Sequence, residues 1–448
     1  MSTGFGTSRR WVLSTVPGVV AGAAGLAAAG CGVGQPSAQS QAPVTVHALL
    51  DPSLITLFGE TSPVFNMFKQ ANPNVTLDVE AGPGPTDGNL GMINKFKAKI
   101  AAGEALDAYA NASSDTVSGF GKSGLLKDLN PLMAKQRAVA VKDYWPAVMG
   151  TVTYGGKLYS LPYMVFTELI YYNEDLLKKE GQPIPTKDWT WDKLLEVCKA
   201  VTRPGSEGKP GQFGIVFGLG NFRGLGLPVM WADGGKLFDD DAAPKSLSLD
   251  PVGASALQWL GDFYSKYKVI ATMADATAAG VANPNAMVNN GQVAFNFSSL
   301  TWRGYRQHTF KSDVQMLPKG KQRNAASTWA ETIAMPVTTK NPDAALNLMT
   351  HISGPVGQKA MIPFVDQFPS VESIATTPEW LKFDRFNRQA AIDMIKLAKP
   401  SPPTPAWADI NSQVLSPLFA DVTGGKKSAL DALREVKVKV DDLLKTQG

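Results

Sequence analysis

An α/β fold is expected from three features of this sequence. Short β-branched runs alternate with amphipathic helices from residue 44 onward, polar residues gather at the ends of those runs, and 448 residues exceed what one compact unit ordinarily holds. Val44–Leu50 reads as a first strand, ending at Asp51-Pro52. Thr61 to Gln70 carries Val64, Phe65, Met67 and Phe68 at helical spacing and stops at Asn72-Pro73. Val75 to Glu80 alternates and forms a second strand. Leu90 to Ala102 is a helix with Met92, Ile93, Phe96 and Ile100 on one face, and Ala108–Asn111 is a third strand. In parallel sheets of this order, ligands sit beyond the carboxyl ends of the strands. Asp51, Asn111, Ser113, Ser114 and Asp115 occupy those ends. Further along, strands are expected at 169–173, 212–217 and 292–297. Helices are expected at 191–201, 252–267, 343–353 and 428–444. Pro400 to Pro405 reads as a stiff loop.

Residues 1–30 read as an export signal outside the fold. Arg9-Arg10 precede an uncharged Ala/Gly/Val-rich stretch, Val16 to Gly30, too short to span a bilayer. Paired arginines in this position fit the twin-arginine route. Ala29-Gly30-Cys31 resembles a bacterial lipobox, with Cys31 supplying the thiol for lipid; Ala28 and Ala29 stretch the usual spacing. The alternative is a plain secretory signal with Cys31 incidental. Residues 31–43, rich in Gly, Gln, Ser, Ala and Pro, form a lipidated flexible tether.

Without residues 1–30 the chain keeps 41 basic and 39 acidic residues, so neither nucleic acid nor a strongly anionic surface is called for. Cys198 is then the only other cysteine. It lies at helical spacing with Leu194, Leu195 and Val201, as a small buried hydrophobe rather than a reactive thiol. His47, His308 and His351 are scattered, and no metal-ligand or phosphate-cradling motif occurs, so no metal or cofactor is expected. Asp239-Asp240-Asp241 reads as a solvated turn.

Several stretches together resemble the solute-binding subunits of ABC importers, in the branch that includes maltose-binding protein. They are Leu161-Pro162-Tyr163 with Glu168 to Lys179, Thr186 to Leu194, Asn290 to Phe297, Leu317 to Gly320, Met335 to Ala345 and Gly424 to Leu433. The resemblance implies two α/β lobes joined by hinge strands, with the ligand between them. Lobe one would be 43–165 plus 317–366 and lobe two 167–315 plus 368–448, with hinges near 165, 316 and 367. Ser327-Thr328 stand where this family often has Gly-Gly, which puts a close backbone approach there in doubt and brings Trp329 or Glu331 toward the ligand.

By the same resemblance the partners are a small solute and an ABC permease served by a separate ATPase. The protein itself would be a lipid-anchored monomer outside the cytoplasmic membrane. A sugar needs paired polar groups for its hydroxyls and flat rings for its C–H faces. Candidates for the cleft are Asp51, Asn111, Ser114, Asp115, Tyr163, Phe166, Asn221, Phe222, Arg223, Trp231, Asn296, Ser299, Trp302, Trp329, Glu331, Asp366 and Trp407. Each aromatic competes with a core-packing role; for Trp189, Trp191, Trp259 and Trp380 packing is the reading preferred. A mono- or oligosaccharide is the leading solute. Arg223, Arg303 and Arg306 keep a phosphorylated polyol or other anion open. A secreted glycoside hydrolase using Asp115 with Glu168 or Glu331, and an adhesive lipoprotein, are the readings from other classes.

Overall fold

The computed structural model describes residues 10–13, 42–52, 62–83, 90–111, 113–205, 211–218, 220–299, 307–363 and 368–447. Cys31, Trp302, Arg303, Arg306 and Asp366 lie outside these described residues.

Eight strands follow one another across the main sheet. Their order is Arg10–Leu13, Val75–Ala81, Val44–Leu50, Ala108–Asn111, Ala326–Ala334, Ser160–Asn173, Val293–Ser299 and Phe213–Val216. Val44–Leu50 pairs in parallel with both Val75–Ala81 and Ala108–Asn111, which requires the crossover helices Pro63–Ala71 and Leu90–Ala101. The first helix starts where expected: Ser62 Oγ accepts from Val64 N at 3.2 Å and Pro63 fills the first turn. Val64, Phe65 and Phe68 are its buried face.

Ser160–Asn173 determines the architecture. All fourteen of its residues are buried, so it shows no alternation, and only its last third was legible as a strand from sequence. Up to Thr167 it pairs antiparallel with Ala326–Ala334; from Glu168 to Tyr172 it pairs with Val293–Ser299, and from Ile170 to Asn173 also with Ser312–Gln315. One strand therefore serves two halves of the molecule and changes partner between Thr167 and Glu168. Phe368–Pro369 adds a short pairing at Val165 and Met164.

The far half is closed by helices. Trp191–Val201 begins at Thr190, whose side chain accepts from Lys193 N, and buries Leu194, Leu195, Cys198 and Val201. Cys198 is a free, buried thiol, and burial pushes its pKa well up. A Cβ on Gly214 would stand 2.5 Å from the Cys198 Cβ, so glycine lets this helix press on its strand. Pro251–Ser265, capped by Asp250, packs against Ser416–Thr423 and Ala429–Gln447.

Arg10–Leu13 lies at the sheet edge, antiparallel to Glu80 through Leu77. Ala326–Ala334, the partner of the long strand, was not anticipated as a strand. Among the described residues, no helix is long and apolar enough to cross a membrane.

Candidate ligand-binding cleft

The site is assembled where the long strand changes partner. Phe166 and Glu168 are two residues apart and share a strand face. The register sets Trp329 opposite Phe166, and their rings stack with centroids 5.6 Å apart at 10°. The Arg223 guanidinium lies over the other component of this pair, 4.0 Å from the Trp329 ring centroid. Arg223 also forms an ion pair with Asp115, 108 residues away in sequence. Asp115 sits in the turn Ser114–Thr116, capped by Ser113, and Ser401 Oγ donates to its Oδ1 at 3.4 Å. Ser114 holds that turn against the sheet by accepting from Ala330 N at 3.1 Å.

Ser327 and Thr328 do not leave the space that two glycines would. Ser327 Oγ donates to the Arg223 carbonyl oxygen at 2.6 Å, and Thr328 Oγ1 donates to the Phe166 carbonyl oxygen at 2.9 Å. Both hydroxyls are consumed in holding the strand that carries Trp329 against Phe166 and Arg223.

Glu168 is the buried acid of this cluster. Asn221 Nδ2 donates to its Oε1 at 2.9 Å, while Oε2 has no hydrogen-bond partner among the described residues. Burial pushes its pKa up to about 7, against the lowering effects of Asn221 and the Arg223 charge. Asn221 is itself held, because its Oδ1 caps Gly224 N at 3.0 Å at the start of the turn Phe222–Gly226. A Cβ on Gly224 would meet Glu168 Oε1 at 2.5 Å, so glycine permits the approach. Glu168 is the only charged residue in Ser160–Asn173. That isolation in an apolar run was the signal for a functional acid, which the candidate binding set did not include.

A second acidic group gathers Asp51, Tyr163 and Glu331. Burial pushes the Glu331 carboxyl up to about 8, opposed by the Tyr163 phenol and reinforced by Asp51. Asp51, just past the strand Val44–Leu50, and Tyr163, within Ser160–Asn173, are both buried. Beside the Arg223 cluster a groove of about 740 Å³ is lined by Trp231, Lys236, Asp241, Arg323, Lys399 and Ser401, among others. Trp231 is 2 % exposed and donates from Nε1 to Asp241 Oδ2 at 2.8 Å. Arg323, Lys399 and Ser401 were also missed: they belong to loops and a short strand with no motif of their own.

Other candidates separate. Ser299 lies opposite Glu168 in register, on the same side. Asn296 is three positions back and so faces the other side, lining a crevice with His308 and Ser312. Phe222 is fully buried edge-on to Phe419, so it is core rather than cleft. Asn111 pairs through its backbone with Thr332. Trp407 is 1 % exposed, and its Nε1 has no hydrogen-bond partner among the described residues. Asp239, Asp240 and Asp241 accept from backbone N–H groups of their own turn. Among the described residues, no group of three or more His, Cys, Asp or Glu could hold a metal ion.

Two α/β halves sharing one strand, with stacked rings and buried polar groups where they meet, are the build of a protein that encloses a small solute. The chain belongs to the bacterial extracellular solute-binding proteins, a family it matches over residues 64–384. It is 27 % identical over 257 residues to a Deinococcus radiodurans protein named "Probable ABC transporter-binding protein", over 55 % of this chain and 59 % of that relative, little more than half its length. It is 23 % identical over 375 residues to the maltodextrin-binding protein MdxE of Bacillus subtilis, covering 76 % of this chain and 79 % of the relative. An ABC substrate-binding protein of Listeria monocytogenes, solved in complex with cycloalternan, superposes with a TM-score of 0.75 at 22 % identity, over 90 % of this chain and 99 % of that one.

Proposed function

We propose that this protein captures a carbohydrate, an oligosaccharide before a monosaccharide, between its two lobes and delivers it to the permease of an ABC importer. The observation that carries this reading is the Phe166–Trp329 stack beside the buried acid Glu168 and the Asp115–Arg223 pair. The rings offer flat apolar area to sugar C–H faces, and the fixed polar groups discriminate hydroxyls by leaving any mismatched one unpaired. The sugar-binding relatives named above support the choice of ligand class.

The lobes on this reading are 43–165 plus 317–366 and 167–315 plus 368–448. They rotate about hinges near 165, 316 and 367, and a ligand shifts the equilibrium through its greater affinity for the closed form. The protein binds without transforming its ligand. Against a hydrolase, Asp115 is engaged by Arg223 and Glu168 by Asn221. The chain is exported by its twin-arginine segment, loses it on cleavage before Cys31, and stays on the membrane as a monomer through lipid on that thiol. Removal of Arg10–Leu13 returns Val75–Ala81 to the sheet edge.

Thermal shift of the purified protein against mono- and oligosaccharides, followed by calorimetry and product analysis, tests the function. A ligand at 100 times its Kd stabilises by about 2.7 kcal/mol. A saccharide hit without products is the expected result; silence across the panel removes the carbohydrate, and products remove the binding-only reading. Cys31→Ser should move the protein from the membrane fraction to the medium.

A further inference from the structure

The groove beside the stack is lined by Lys236, Arg323 and Lys399 and by Asp239, Asp240 and Asp241. Trp231 forms part of its wall, and two cations meet there. Arg323 donates from Nε to the Trp231 carbonyl oxygen at 3.0 Å, and Lys399 Nζ stands 5.3 Å from the centre of the Trp231 ring. Neither makes an ion pair with a described residue. Both side chains are exposed in the groove rather than folded into the core.

The aspartates of the groove have other work. Asp239 accepts from Lys245 N and Ser246 N, Asp240 from Ala242 N, and Asp241 from Phe238 N and the Trp231 indole. They hold their turn and form no ion pair with the two cations, although the Asp241 charge is felt at Lys399. The net effect on Lys399 is a lowered pKa, caused first by partial burial and then by the Arg323 charge, with Asp241 offsetting only part of it. Two like charges held side by side in a semi-enclosed groove repel each other. An anion between them replaces that repulsion with charge-assisted hydrogen bonds.

The groove is linked to the cleft residues through strand pairing and one hydrogen bond. Ala398–Pro400 pairs in parallel with Ala326–Thr328, which sets Lys399 opposite Ser327, two residues before Trp329. Ser401, in the groove lining, donates to Asp115, the partner of Arg223. Because Asp115 already neutralises Arg223, the stack itself offers an anion little. Resting on the carbohydrate reading above, we propose that the sugar bound by this protein bears an anionic group, a carboxylate or a sulfate or phosphate ester, which Arg323 and Lys399 hold in this groove while the rings run toward Trp329.

The experiment is calorimetry on the full-length mature protein with matched oligosaccharides, each as the neutral form and as terminal uronate, sulfate and phosphate. It uses wild type, Arg323→Gln and Lys399→Gln, surface substitutions that leave the core untouched. At least one acidic form should bind tenfold or more tightly than its neutral parent, and which form does so names the source of the charge. Each substitution should remove most of that preference, so that the acidic and neutral forms bind alike, and 0.5 M salt should shrink the preference of wild type. Neutral binding without any acidic preference, or a preference that survives both substitutions, overturns the anion subsite and leaves the carbohydrate function standing. Binding of no saccharide of either kind overturns both.

Discussion

Replacing Glu168 by Gln should change how the stability of this protein depends on pH. The carboxyl is buried, with one oxygen accepting from Asn221 and the other without a hydrogen-bond partner among the described residues. Its pKa is pushed from 4.5 in the unfolded chain to about 7 in the folded one. The folded state therefore holds a proton that the unfolded state has released, and stability falls as pH rises between these values. Below about pH 4.5 both states are protonated and the group is silent; above about 7 the full cost is present. At 1.36 kcal/mol per pKa unit the cost is about 3 kcal/mol. Glutamine keeps the shape and the acceptor for Asn221 but does not titrate. Urea denaturation followed by tryptophan fluorescence, at intervals from pH 5 to 8.5, reads the effect. The new buried amide adds a pH-independent offset, so the slope is the observable. Wild type should lose about 2.5 kcal/mol relative to the variant across that range, since part of the cost is already present at pH 5. Parallel curves would mean that Glu168 ionises freely in the folded protein and that its burial is not what sets its charge.

Three further outcomes are expected. Trp329→Ala removes the ring that carries Arg223 and stacks on Phe166; ligand affinity measured by calorimetry should fall by about 1–3 kcal/mol, more than stacking alone, because the pocket wall goes with it. Asp115→Ala and Arg223→Ala should be non-additive, with a coupling of about 1 kcal/mol or more in a double-mutant cycle of stability, since each single change strands a partly buried charge. Gly214→Ala should cost about 1–3 kcal/mol by forcing the Trp191–Val201 helix off its strand, seen as a lowered Tm, and should expose Cys198 to a thiol reagent that leaves wild type untouched.

What the sequence determined by itself was local. Val44–Leu50, the Ser62-capped helix and the Trp191–Val201 helix were legible because periodicity, caps and stop signals lie within a dozen residues of one another. The motif order over the whole chain was enough to expect a two-lobe solute-binding fold, and Cys198 was rightly expected to be buried. Only the tertiary structure decided which candidates meet. Ser160–Asn173 is buried on both faces, which erases the alternation that marks a strand, and its partner Ala326–Ala334 lies about 160 residues away. Asp115 meets Arg223 across 108 residues, and Ser401 meets Asp115 across 286. Contacts of that range leave no trace in local pattern, because they depend on how the sheet is ordered rather than on what any one segment prefers. The same ordering turned Asn296 to the other face, sent Phe222 into the core, brought Glu168 against Asn221, and set Arg323 and Lys399 in one groove.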